Sequence, residues 1–228
     1  MGSIRENILR VRESMGKAAR RVGRNPEGIR LVAASKTVDI ERIRAAIEGG
    51  ITILGENYVQ EAMKKIEAIE MPVSWHFIGH LQKNKARHAM RLFEMIQSVD
   101  SIALADELNK RAGHVGRKIE VLVEVNLSGE TSKWGVKEED TITLVHWING
   151  LVNLSFRGLM TMPPFFDDPE ESRPYFVRLR TLAEKIVQEE VHPGPLELSM
   201  GMSNDFLVAI EEGATLVRVG TAIFGPRQ

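Results

Sequence analysis

Eight short apolar runs, each separated from the next by a helix-sized stretch, constrain this chain more than any other feature. They lie at Arg30 to Ser35, Thr52 to Gly55, Ser74 to Gly79, Met95 to Val99, Glu120 to Val125, Ser155 to Met160, Glu197 to Met200 and Leu216 to Val219. A strand buried on both faces reads as a near-continuous apolar run, and strands alternating with helices pair in parallel through helical crossovers. The intervals carry helical spacing: Ile40, Ile43 and Ile47 in Asp39 to Glu48, and Phe176, Leu179, Leu182, Ala183 and Ile186 in Arg173 to Glu190. Helices are likewise predicted at Val59 to Ile69, Leu81 to Phe93, Ile102 to Ala112, Glu138 to Ile148 and Asp205 to Glu211. Eight strands in such alternation argue for an α/β fold, a single (β/α)8 TIM barrel, with the open doubly wound sheet as the alternative. One further helix precedes the first strand. Ser3 and Glu6 form a capping-box pattern, Ile4, Ile8, Val11, Met15, Ala19 and Val22 follow at spacings of three and four, and Gly23 with Asn25 and Pro26 ends the run.

A length of 228 residues fits one barrel domain over 1–228 and leaves no room for a second. The 30 basic and 31 acidic residues cancel to a net charge of -1, so no global field draws the chain to nucleic acid or an anionic membrane. The basic cluster Lys83, Lys85, Arg87, His88 and Arg91 lacks an aromatic platform and reads as a solvated helix face. With no cysteine, disulfides, thiolate metal sites and cysteine nucleophiles are excluded. His76 and His80 straddle a strand and its exit with no third ligand motif, so no metal is expected. No stretch is apolar and long enough to cross a membrane, and residues 1–23 are too charged for a signal peptide, which makes the cytoplasm the expected location.

In a (β/α) barrel the loops after the strands build the functional face, and phosphate is commonly held after the seventh and eighth. The unusual polar residues fall at those ends. Lys36 follows the first run, Glu56, Asn57 and Tyr58 the second, and His80, Gln82, Asn84 and Lys85 the third. Asn126, Ser128, Ser132 and Lys133 follow the fifth, Thr161 and Met162 the sixth, Ser199 to Ser203 the seventh, and Gly220 and Thr221 the eighth. Pro163 to Pro169 reads as one long loop. Glycines at 201 and 220 let backbone N–H groups approach a phosphate, and Ser199, Ser203 and Thr221 add hydroxyls. Arg218 lies between Val217 and Val219, where a period of two points it into the barrel. Buried there it needs an acceptor, either a carboxylate such as Glu124 or Glu197 in a structural ion pair, or a ligand nitrogen. A lysine after a strand is ordinarily solvated, and Lys36 becomes a nucleophile only when neutral.

These residues carry a resemblance. Leu31 to Thr37, Gly55 to Glu61, Trp75 to Gln82 with Asn84 and Lys85, Val123 to Asn126, Gly158 to Met162, Leu198 to Ser203 with Asp205, and Val217 to Gly225 resemble, in order and spacing, the pyridoxal phosphate homeostasis protein family, a relative of the alanine racemase barrel. The resemblance spans residues 31 to 225 and implies the cofactor pyridoxal 5'-phosphate. It implies that Lys36 forms the internal aldimine, that Ser199, Met200 and Gly201 together with Gly220 and Thr221 hold the phosphate, and that Arg218 faces the pyridine nitrogen. It further implies that Asn57 and Met160 line the ring, and that Lys133 matches a lysine that takes up cofactor secondarily in some relatives. A guanidinium beside the ring nitrogen does not readily accept its proton, which leaves the ring a weak electron sink.

Two functions follow from the resemblance. The first is a carrier that buffers the cofactor in vitamin B6 homeostasis, with dependent apoenzymes as recipients and a monomer or weak dimer as the working form. The second is an amino-acid racemase, which needs a base on each face of the substrate. Alanine racemases supply the second base, a tyrosine, from an added domain of the partner subunit. Here the sequence ends at Gln228, directly after the eighth run, and its two tyrosines are Tyr58 at the rim and Tyr175 on a predicted outer helix. The carrier is therefore the expected function, with no catalytic residue assigned.

Overall fold

The expected strands form and close on themselves. The computed structural model describes residues 2–130 and 133–226. Its strands are β1 (Arg30–Ala34), β2 (Ile53–Glu56), β3 (Ser74–Phe77), β4 (Met95–Val99), β5 (Ile119–Asn126), β6 (Val136–Lys137), β7 (Leu154–Met160), β8 (Glu197–Ser199) and β9 (Leu216–Val219). They pair in parallel in the order β4-β3-β2-β1-β9-β8-β7-β5, and β4 also pairs with β5, so the open-sheet alternative falls away. The short β6 adds to the outer end of β5 at Val125 and Asn126; two residues are too few for a hydrophobic pattern to announce.

Around the barrel run α1 (Ile4–Arg21), α2 (Ile40–Glu48), α3 (Val59–Ala68), α4 (Ala86–Leu92), α5 (Ile102–His114), α6 (Thr141–Asn149), α7 (Arg173–Gln188), α8 (Phe206–Glu211) and α9 (Thr221–Phe224). The Ser3–Glu6 capping box starts α1, which buries Ile8, Val11, Met15, Ala18 and Ala19. Asn7 Nδ2 donates to the Ile223 carbonyl at 2.8 Å, and Arg24 donates to the carbonyls of Ile210 and Ala214, so the extra helix is fastened across the last two helical segments. The helix expected over Leu81 to Phe93 begins late: a 3₁₀ turn at Lys83–Lys85 precedes α4. Lysines stand at the end where a helix dipole favours anions, no side chain caps it, and Leu81 is buried from extended chain instead.

Period-two alternation stacks the barrel interior in layers. Val32, Ile53, Met95, Leu122, Met160 and Leu216 form an apolar layer separate from the main core between sheet and helices. At the bottom, Arg30 pairs with Glu197 at 2.7 Å. Two residues up β4, β5 and β9 from the apolar layer the interior turns polar, with Gln97, Glu124 and Arg218 joined by His76 and Ser199, all buried. Burying an apolar side chain of this size contributes about 1.5–3 kcal/mol, so the apolar layer is a foundation on which the polar one can be held.

Candidate functional site

The strand β1 ends in a tight turn that presents Lys36. The Val38 N–H donates to the Ser35 carbonyl at 3.0 Å, which puts Lys36 and Thr37 at the two central positions of a β-turn. Thr37 has φ 62, the left-handed region where a turn ordinarily carries glycine, and threonine is β-branched. Lys36 itself is half-buried and lines a cavity of about 480 Å³, a volume suited to a small-molecule ligand.

That cavity gathers residues from both ends of the sequence. Lys36, Asn57, Arg218, Gly220 and Thr221, all expected at the site, line it together with Ser203. The Ser203 hydroxyl accepts from the N–H groups of Gly220 and Ala222 at 3.2 and 3.3 Å, tying the loop after β8 to the turn after β9. Asn57 Oδ1 is buried with no hydrogen-bond partner among the described residues. An amine, a guanidinium, two hydroxyls and a glycine turn, with one amide oxygen as an acceptor, line one cavity and fit a phosphorylated aldehyde with a ring nitrogen.

Four other expected residues stand behind that wall. Met160 is fully buried in the apolar layer, and Met200 is fully buried in the main core. The Ser199 hydroxyl accepts from Arg218 Nη1 at 2.6 Å and donates to Gln97 Oε1 at 2.6 Å. Gly201 has φ 87, and a Cβ there would lie 2.5 Å from the Ala209 Cβ and 2.9 Å from the Phe206 Cα. Glycine at 201 thus admits α8 against the β8 loop.

Arg218 resolves one alternative left open by its sequence. Glu197 is paired with Arg30, and among the described residues Arg218 forms no salt bridge with Glu197 or Glu124. Its Nη1 donates to Ser199 and its Nη2 to the Thr161 carbonyl at 2.9 Å, leaving further N–H groups for a ligand. Burial draws its pKa down to about 10, so it remains a cation at neutral pH. Glu124 is pushed the other way: burial raises it to about 7 against the pull of Arg218. A hydrogen-bond chain continues across the barrel from Gln97 Nε2 to His76 Nδ1 at 2.9 Å, and burial, with Arg30 adding to it, lowers the His76 pKa to about 3.

Lys133 lines a separate cavity with His80 and Asp100, where it pairs with Glu130 at 3.3 Å. The His80 ring stacks on Trp134 at 3.5 Å. Ser132, expected beside Lys133, lies outside the described residues. Tyr58 is exposed and lines a neighbouring cavity, while Tyr175 sits on α7 against Phe166, so neither tyrosine lines the Lys36 cavity. Asp39, Arg42 and Phe165 line it without having been singled out as site residues. Asp39 was legible only as the start of a helix, where its carboxylate accepts from the Arg42 N–H at 2.9 Å.

Comparison with known proteins follows the same lines. The family profile of the alanine racemase N-terminal domain matches residues 2–228. The pyridoxal phosphate homeostasis protein of Aquifex aeolicus is 46% identical over 224 residues, 98% of both chains. That of Escherichia coli is 37% identical over 231 residues, covering 100% of this chain and 98% of the other. PipY of Synechococcus elongatus PCC7942, solved with PLP bound, superposes with a TM-score of 0.87 at 35% identity, over 98% of this chain and 100% of that one. An alanine racemase of Clostridium difficile shares the fold at 16% identity and a TM-score of 0.76, this chain covering 56% of it.

Proposed function

The chain belongs to the alanine racemase N-terminal domain family and, within it, to the pyridoxal phosphate homeostasis proteins, and from that premise we propose that it holds pyridoxal 5'-phosphate reversibly on Lys36 as a carrier. The observation that supports this most is the single cavity joining Lys36 to Arg218, Gly220 and Thr221. Lys36 would hold the group by condensing its Nζ, in the neutral form, with the aldehyde: the carbonyl oxygen would depart as water with the two amine hydrogens, and hydrolysis would reverse the condensation. Bound in this way, the group would supply a stored aldehyde shielded from free amines.

The chain's own residues then divide the work. Ser203 and Thr221 offer hydroxyls to the phosphate at the Gly220 turn, and Asn57 offers its buried oxygen near the ring. Arg218, held by Ser199 and the Thr161 carbonyl, faces the ring nitrogen as a hydrogen-bond donor that keeps its own proton. Ser199, Met200, Gly201 and Met160 act from behind, fixing Arg218 and the loop after β8. With neither tyrosine on the cavity wall, a second base opposite Lys36 is not supplied from either, which favours holding over racemisation. Release to dependent apoenzymes in the cytoplasm completes the reading.

The test is the absorption spectrum of the loaded protein with borohydride trapping and peptide mapping. A reduced pyridoxyl group on Lys36, absent from Lys36→Ala, is expected. Absence of that adduct in the wild type, or Lys36-dependent turnover of L-alanine to D-alanine, would overturn the carrier.

A further inference from the structure

Behind Lys36 lies a buried charge network that neither the cavity nor the phosphate loops use. Val59, Ala62 and Lys65 form the buried face of α3, so a lysine stands where an apolar residue would ordinarily pack. Its Nζ donates to the Ser35 carbonyl at 2.6 Å, to Glu56 Oε1 at 2.7 Å and to Glu61 Oε1 at 2.6 Å. Glu61 Oε1 in turn accepts from the Thr37 N–H at 2.6 Å, and Glu56 Oε1 accepts from the Ser35 hydroxyl at 2.6 Å. The network therefore grips the backbone on both sides of Lys36: the carbonyl before it and the N–H after it.

We infer that Lys65, Glu61 and Glu56 are positioning residues for Lys36, clamping its turn in a conformation that threonine at 37 would otherwise resist. The inference rests on Lys36 being the residue that holds the aldehyde. A β-branched residue at positive φ is held only where its surroundings over-determine it, and here the acceptor is a carboxylate aimed at the strained residue's own N–H. Charge-assisted hydrogen bonds of this kind are among the stronger ones available. Lys65 fixes the carboxylate that does this, and its burial is compensated by three oxygens at once. Without the clamp the turn relaxes towards a conformation suited to threonine, and Nζ of Lys36 spends less of its time facing the cavity.

The clamp acts through one dihedral, so it can be bypassed. Glu61→Ala should weaken apparent binding of pyridoxal 5'-phosphate by about tenfold, the scale of one charge-assisted hydrogen bond. Glu61→Gln keeps an acceptor oxygen and should stay within about threefold of wild type. In the double variant Glu61→Ala with Thr37→Gly, glycine adopts the left-handed turn unaided, and binding should return to within about threefold of wild type. A role in stability alone would not be rescued in this way. The readouts are the absorption titration, borohydride trapping on Lys36 and, on the wild type without ligand, amide hydrogen exchange at Thr37, which should be slow. Equal binding by Glu61→Ala, a double variant as weak as the single one, or rapid exchange at Thr37 would each overturn the clamp while leaving the carrier standing. A wild type with no adduct on Lys36 would overturn both.

Discussion

Replacing Glu124 with glutamine tests whether the acid in the polar layer of the barrel is held neutral beside Arg218. Glu124 is 2% exposed, and its Oε2 has no hydrogen-bond partner among the described residues. Burial is the largest influence on it and raises its pKa from 4.5 to about 7; Arg218 lowers it and Asp100 raises it, and burial wins. The folded state therefore binds a proton that the unfolded chain releases between those two values. Its contribution to stability is fully present below 4.5 and is lost as pH rises through about 7. The gap is worth about 3 kcal/mol, since each pH unit of displacement corresponds to about 1.4 kcal/mol. Glutamine mimics the protonated acid at every pH. Its advantage over wild type should thus be about 1 kcal/mol at pH 5 and about 3 kcal/mol at pH 8. Urea unfolding of both proteins across that range measures the difference directly. An advantage that does not grow with pH, or a variant less stable than wild type at pH 8, would mean that Glu124 is a buried anion paired with Arg218, and the neutral-acid account would be wrong.

Two further outcomes follow from the same interior. His76 should stay neutral, with its proton on Nε2 because Nδ1 accepts from Gln97; its depressed pKa of about 3 means its stabilising contribution is present above the ordinary value of 6.5 and declines as pH falls towards 3. Nitrogen chemical shifts of its ring should be flat from pH 5 to pH 8, since with a pKa of about 3 only about one ring in a hundred is protonated at pH 5 and tenfold fewer with each further unit, and a midpoint near 6 would refute the burial argument. Gly158→Ala should cost about 4 kcal/mol or more, because the added Cβ would meet the Glu197 backbone at 2.0 Å where β7 pairs with β8. Thermal melting checks it, and an unchanged melting temperature would place the two strands further apart than they stand here.

What could be read from the sequence was whatever the local period encodes. The eight strand runs, the capped first helix and Lys36 at a strand end all follow from spacing and residue type, and so does Arg218 facing inward. The resemblance then supplied the aldehyde. Other features depend on partners distant in sequence. Gln97 looks like one polar residue within an apolar run until β8 and β9 bring Ser199 and Arg218 beside it. Gly201 suggested an approach to phosphate, and only the fold adds that α8 also packs into the space its missing side chain leaves. Glu61 and Lys65 stand at i and i+4 on a helix, a spacing common in surface ion pairs, and nothing local says that this side of α3 packs over the end of β1.

That last case bears on how a barrel makes a lysine useful. Loops are more mobile than the elements they connect, so where a loop side chain points depends on how firmly its backbone is held. Precision has to come from the backbone, and backbone conformation is set by hydrogen bonds that leave no periodic trace in sequence. Here the bonds to Ser35 and Thr37 come from one helix further along the barrel, so the helix that follows β2 determines the geometry of the turn that follows β1. The polar layer works in the same way for Arg218, whose guanidinium is oriented by Ser199 on β8 and the carbonyl after β7. Lys36 and Arg218 are thus each held by neighbouring β/α units. Substitutions behind the wall should therefore change cofactor affinity as strongly as substitutions on it, and the contrast between Glu61→Ala and its Thr37→Gly rescue measures that directly.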